Sequence, residues 1–166
     1  MKLEDRINAI ARCSQFRGLS EDIHEHLARY ASSHIYNANH IVFQEGEPSG
    51  SLFLVTWDAV RRSISSALGR EFMLDVMGQG ELLGLLAFLD GSPYETSCIT
   101  LHKTQVLQIN RSAIPTAFRT SMESCFTSAL YAQLRKTIML LGDMTMYPLE
   151  IRLARLLLRF DTHAQI

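Results

Sequence analysis

Between Glu71 and Asn110 the chain carries no arginine, and Lys103 is the only permanent cation in that stretch. The shortage matters because a phosphate is usually clamped by arginine, whose planar fork pairs two oxygens at once. Cysteine is sparse too. Cys13, Cys98 and Cys125 are widely spaced and form no CxxC pair, which argues against a structural zinc or iron–sulfur site. Reduced, buried thiols are the plainer expectation. The six histidines, His24, His26, His34, His40, His102 and His163, show no HExxH or other metal spacing. No apolar run approaches the ~20 residues that span a bilayer. The start, MKLEDRINAIARCSQF, is charged and lacks an apolar signal core. A cytoplasmic protein with no membrane partner is the expectation. An excess of charge is also missing: 16 basic and 17 acidic residues leave a net charge of −1. Such a balance gives no long-range pull on nucleic acid. It argues against a complete DNA-binding protein, which normally carries a basic face.

The 166 residues leave room for one domain, or for one domain and a fragment of another. The first region, to about Ser33, reads as helical. Ile7, Ile10 and Ala11 share one face; Phe16-Arg17-Gly18-Leu19 breaks the pattern. Ser20 then suits an N-cap, with Glu21 and Asp22 at the positive end of the helix dipole. Ile23, Leu27, Tyr30 and Ala31 make the apolar face of that second helix. From His34 to Ile109 the period changes. Ile35, Ile41, Phe43, Leu52, Leu54, Val60, Ile64, Phe72, Leu74 and Val76 fall in short runs separated by turn signals such as Gly46-Glu47-Pro48 and Asp90-Gly91-Ser92-Pro93. Many short strands at regular spacing predict a barrel or sandwich. Glu81 to Leu89 is too unbroken for an alternating strand and predicts a short helical turn within it.

A long helix is expected from about Ser112 to Tyr147, because Pro115 sits early and no glycine or proline follows until Gly142. It carries two apolar stripes. Phe126, Leu130, Gln133, Thr137, Leu140 and Met144 follow a 4-3-4-3-4 spacing; Tyr131, Leu134, Ile138 and Leu141 form the other. One stripe can pack on the chain's own strands. The other needs a partner helix, and the first stripe is compatible with the seam of a parallel homodimer. A helix buried within a monomer is the alternative. After Pro148 a last helix sets Ile151, Ala154, Leu157 and Leu158 against Arg152, Arg155 and Arg159.

Several motifs occur in a telling order: Phe16-Arg17-Gly18-Leu19-Ser20, Val42-Phe43-Gln44-Glu45-Gly46-Glu47, Ser51-Leu52-Phe53-Leu54-Val55, Gly69-Arg70-Glu71-Phe72-Met73-Leu74, Gly78-Gln79-Gly80-Glu81-Leu82-Leu83-Gly84, and Glu150-Ile151-Arg152-Leu153-Ala154-Arg155. Together they resemble the sensor half of the Crp/Fnr family of bacterial transcription regulators, over about residues 14 to 160. The resemblance implies an α+β, mainly β fold: a double-stranded β-helix (jelly roll) flanked by N-terminal helices and a long C-terminal dimerisation helix. It implies a roll with its helices over 1–111, the dimerisation helix over 112–147, and at 148–166 the first helix of a winged helix-turn-helix. DNA would be read only through the remainder of that last domain, which this sequence does not include, whether it is a piece of a longer protein or a naturally short one.

In cyclic-nucleotide-binding members of the family, a Gly-Glu pair opens the phosphate-binding segment and an Arg-Ser or Arg-Thr pair about ten residues later holds the phosphate. Aligned on Gly84, the glutamate place is Leu85, the arginine place is Glu95 and its neighbour is Thr96. Sliding to Gly80-Glu81 recovers the glutamate but puts Gly91 at the arginine place. An unpaired buried charge costs several kcal/mol, and ~4 kcal/mol turns a micromolar ligand into a millimolar one. Tight binding of cyclic AMP or cyclic GMP is therefore not expected, and no other cofactor is indicated. Gly84, Leu85, Leu86, Tyr94, Glu95, Thr96 and Ser97 make the candidate pocket. Thr137 joins it where relatives touch the ligand's base with a hydroxyl. Two readings of these residues stand: ordinary core plus a surface loop, or a pocket for a less anionic, unidentified effector.

Trp57-Asp58-Ala59 replaces the usual Ser-Gly turn, so Asp58 must take a conformation that aspartate tolerates better than most residues. An enzyme of the cupin kind is disfavoured, because His34 and His40 are too isolated to build its metal cluster. A ligand-gated regulator and a constitutive dimerisation scaffold are the functions left.

Overall fold

The computed structural model describes residues 1–163, without the side chains of residues 156 and 158–163. The expected roles of Leu158 and Arg159 therefore lie outside the described residues. Helix α1 spans Leu3–Arg12, with Glu4 and Asp5 in its first turn and Arg12 in its last, each on the favourable side of the helix dipole. A 3₁₀ turn at Ser14–Phe16 buries Phe16. Helix α2 spans Glu21–Tyr30. Ser20 holds its N-cap in an extended conformation, yet its side chain makes no capping bond. Ile23, Leu27 and Ala28 are its buried face. Tyr30 departs from the sequence expectation: it is 54% exposed and lies beside the His26 ring, 4.6 Å between centroids. Ala11 is likewise exposed, and Ile10 carries the packing of α1.

Eight strands follow: β1 Ser32–Tyr36, β2 Ile41–Phe43, β3 Ser51–Trp57, β4 Val60–Ser65, β5 Glu71–Met77, β6 Leu82–Leu83, β7 Ser97–Thr100 and β8 Thr104–Asn110. They form two four-stranded sheets in the orders β1-β8-β3-β6 and β2-β7-β4-β5, with every pairing antiparallel. This is the jelly-roll arrangement expected from the alternating runs. Apart from β4 and β5, consecutive strands lie in different sheets, so inward side chains of both meet in one interior. Phe43, Phe53, Val55, Val60, Leu83, Cys98 and Val106 pack there. The short helix α3, Leu85–Asp90, interrupts the roll between β6 and β7, close to where the unbroken apolar run predicted it.

After a 3₁₀ turn at Arg111–Ala113, helix α4 runs from Thr116 to Met146 and α5 from Leu149 to His163. The chain forms two compact units, divided within α4 after Phe126. In the first unit the start of α4 packs on the N-terminal helices: the Phe16 and Phe126 rings lie 5.7 Å apart, and His26 meets Phe118 edge-on at 5.2 Å. In the second unit α4 and α5 are joined at Pro148. The buried Asp143 carboxylate pairs with Arg155 Nε at 2.8 Å, and the Arg155 guanidinium lies over the Tyr147 ring at 4.9 Å. No helix of the described residues is long and apolar enough to cross a membrane.

Candidate functional site

The turn from β6 into α3 is built around Gly84. Its φ of +73° is a left-handed conformation that a side chain disfavours. A Cβ at this position would also lie 2.8 Å from Cε1 of Tyr94. The residue packed against the head of the segment is therefore Tyr94, one position before the expected Glu95. Tyr94 is buried on every side. Its ring stacks on Phe43 at 4.0 Å between centroids, and its hydroxyl donates to the Ser51 carbonyl at 2.9 Å. Its backbone is pinned as well: Tyr94 N donates to Glu47 O at 3.0 Å, and Tyr94 O accepts from Gly46 N at 2.9 Å. Burial pushes the Tyr94 hydroxyl pKa up, so the ring stays neutral at physiological pH.

An arginine does reach this interior, from a strand distant in sequence. Arg62 on β4 pairs across the ladder with Cys98 on β7 and with Asp75 on β5. Its side chain is 10% exposed. Its Nε donates to Asp75 Oδ1 at 2.8 Å and its Nη2 to Asp75 Oδ2 at 2.7 Å, the two-pronged geometry that arginine forms best. Burial alone lowers the Arg62 pKa; the Asp75 hydrogen bonds, then the charges of Asp75 and Glu95, outweigh it and the net direction is upward. The guanidinium is thus fully charged and already spoken for. Glu95 is half-buried, and its Oε2 is buried with no hydrogen-bond partner. Arg62, the partly exposed Asp75 and the half-buried Glu95 thus put one guanidinium near two carboxylates.

Burial sorts the other pocket candidates. On α3, Leu85 is buried and Leu86 is 40% exposed; before and on β7, Thr96 and Cys98 are buried. Ser97 pairs with Ser63 across β4 and β7, on the opposite face from Arg62 and Cys98. There it lines an open groove of about 670 Å³ with Ser63, Ser65, Glu45 and Glu71, and its hydroxyl accepts from Glu45 N at 3.0 Å. Thr137 belongs to the second unit, and its hydroxyl donates to its own helix at Gln133 O, 3.0 Å away. The roll thus sets Tyr94 against Gly84, places Thr96 and Arg62 by Cys98 with Asp75 on Arg62, and turns Ser97 away. Among the described residues no group of three or more His, Cys, Asp or Glu side chains is placed to hold a metal.

A family model described as the cyclic nucleotide-binding domain matches residues 33–121, more than half of the chain. The chain belongs to this family. Its relatives include a CRP-like cAMP-activated global transcriptional regulator of Mycobacterium tuberculosis, 26% identical over 152 residues, a match that covers 90% of this chain and 68% of that protein. The fold superposes on the Thermus thermophilus catabolite activator protein with a TM-score of 0.67 at 25% identity, covering 78% of this chain and 62% of the other. The chain thus spans less than two thirds of that protein's length. It superposes on the c-di-GMP responsive global regulator CLP of Xanthomonas campestris with a TM-score of 0.72 at 20% identity, covering 83% and 70% of the two chains, a likeness of fold alone. This is a CRP-like cyclic nucleotide-binding domain by sequence and by fold.

The packing at Gly84 makes a direct expectation. Gly84→Ala adds a methyl to a left-handed residue and drives it into a ring that cannot yield. The two effects together cost roughly 2–4 kcal/mol, which lowers Tm by roughly 5–15 °C in a chain of this length. Thermal unfolding followed by circular dichroism measures it; a change below about 2 °C would show that Tyr94 is free to move.

Proposed function

We propose that this chain is the effector-sensing and dimerisation domain of a Crp/Fnr-type transcription regulator whose roll no longer accepts a cyclic nucleotide. One observation carries the reading: Tyr94 fills the space beside Gly84 while Asp75 holds the only buried guanidinium of the roll interior, among the described residues, in a two-pronged pair. The mycobacterial relative is a cAMP-activated regulator; this chain keeps that architecture and changes the chemistry of its interior. DNA contact is assigned to a winged helix-turn-helix of which α5 is the first helix, and homodimerisation to α4. A second reading, a constitutive dimerisation scaffold with a ligand-free pocket, is favoured by the same filled interior.

Thermal shift against a metabolite panel separates the two. A ligand that binds only the native state at a hundred times its Kd adds about 2.7 kcal/mol. For a sensor, cyclic AMP and cyclic GMP leave Tm unchanged and at least one other compound raises it. For a scaffold, nothing raises it. A rise with cyclic AMP contradicts both.

A further inference from the structure

The pairing of β3 with β8 slips at its end. Val55 faces Val106, but the next partner of β8, Gln105, faces Trp57 instead of Thr56. Thr56 is the extra residue, and its hydroxyl donates to Gln105 O at 3.1 Å. A bulge of this kind re-aims the side chain beside it. Here it sets the chain's single tryptophan at the surface, 64% exposed. The turn that follows is held in place: Asp58 adopts φ +63°, and its Oδ1 accepts from Ala59 N at 2.7 Å. An indole this open is unusual, since tryptophan is highly buried on average.

Trp57 lines a groove of about 330 Å³ between α1 and the first sheet, with Asp5, Asn8, Arg12, Gln79 and Gln105 around it. That volume lies at the small end of the range for ligand sites. Asp5 and Arg12 bring one charge of each sign, so neither an anion nor a cation is selected by the side chains. The three amides each carry both a donor and an acceptor. Gln105 Nε2 is engaged with Ser33 Oγ at 3.0 Å, which orients its oxygen as an acceptor for other groups. Hydroxyl groups share this double character; a phosphate only accepts and an ammonium only donates. The complement to one flat apolar wall and a rim of such groups is a ring with an apolar C–H face and several hydroxyls. We propose that this groove binds a neutral monosaccharide, its C–H face against the Trp57 indole and its hydroxyls bonded to the amide rim.

Because no other tryptophan is present, emission excited at the red edge of indole absorption, where the five tyrosines do not absorb, reports this groove alone. The full chain is titrated with D-glucose, D-galactose, D-mannose and N-acetyl-D-glucosamine, and with adenosine as a flat aromatic comparison. At least one sugar is expected to give a saturable change with a Kd of about 1 mM, as suits an open, one-walled site. Gln79→Ala is expected to weaken it roughly tenfold with the emission probe intact. In Trp57→Ala, whose melting curve should be unchanged because the indole is exposed, saturation-transfer NMR signals of the sugar should vanish. The proposal is overturned if no sugar saturates by about 100 mM, if adenosine binds and no sugar does, or if the sugar signal survives Trp57→Ala.

Discussion

Arg62→Ala is expected to destabilise the roll by about 3–5 kcal/mol, because it removes a buried guanidinium and leaves the partly buried Asp75 carboxylate without its partner. In a chain of this length that is a fall in Tm of roughly 6–20 °C. The loss should exceed that of Asp75→Ala. Removing the arginine strands Asp75 near a second carboxylate, Glu95, whose field already acts on Arg62. Removing Asp75 leaves Arg62 with Glu95 as a substitute partner. The double change Arg62→Met with Asp75→Leu should recover most of the loss, since apolar replacements of a buried pair are often neutral or stabilising. Chemical denaturation of the four proteins gives the comparison. Equal, sub-kilocalorie effects for both single variants would mean the pair is solvated and the interior is open.

Leu134→Glu together with Ile138→Glu is expected to convert the protein from a dimer to a monomer. The sequence offered two stripes on α4, and burial distinguishes them. In the 4-3-4-3-4 stripe Phe126 is fully buried in the first unit and Leu130, Gln133 and Leu140 are half-buried by the chain itself, leaving only Thr137 and Met144 exposed. Tyr131, Leu134, Ile138 and Leu141, spaced 3-4-3, are 62%, 57%, 59% and 61% exposed. Burying one such Leu or Ile side chain is worth about 1.5–3 kcal/mol, and each occurs twice in a symmetric pair. A carboxylate at two of these positions in each helix removes that gain and adds like-charge repulsion. Light scattering on the wild type should give two copies of 18.8 kDa, and on the variant one. Gln133→Glu, in the other stripe, should leave the dimer intact. A dimer that survives Leu134→Glu with Ile138→Glu would refute this seam.

Much of the fold was legible because its signals are local. Alternating runs with Gly/Pro turns marked the strands, and the absence of breakers after Pro115 marked α4. The interior of a jelly roll is not local. The stretch Glu71 to Asn110 holds no arginine, whereas β7 is flanked in its sheet by β2 and β4. Arg62 therefore arrived from outside that stretch. A signal for it existed: Arg62 shares the parity of Val60, which marks an inward position, and Asp75 shares that of Met77, which packs against the same core. An opposite-charge pair at inward positions of neighbouring strands is the mark of a buried ion pair. Strand parity also separates Thr96 and Cys98 from Ser97, a distinction that spacing from Gly84 alone does not make. Tyr30 was misplaced for the converse reason: it lies at the margin of the α2 apolar face, where helical periodicity cannot decide exposure and the stack on His26 does.

Isothermal titration of the full chain with cyclic AMP tests most directly whether its own side chains have taken over the nucleotide's place. No saturable heat is predicted up to about 1 mM ligand, since the lost phosphate clamp costs at least three powers of ten in affinity. A one-to-one isotherm with a Kd below about 10 µM would mean that Tyr94 and the Arg62–Asp75 pair give way to the nucleotide, and would contradict the account.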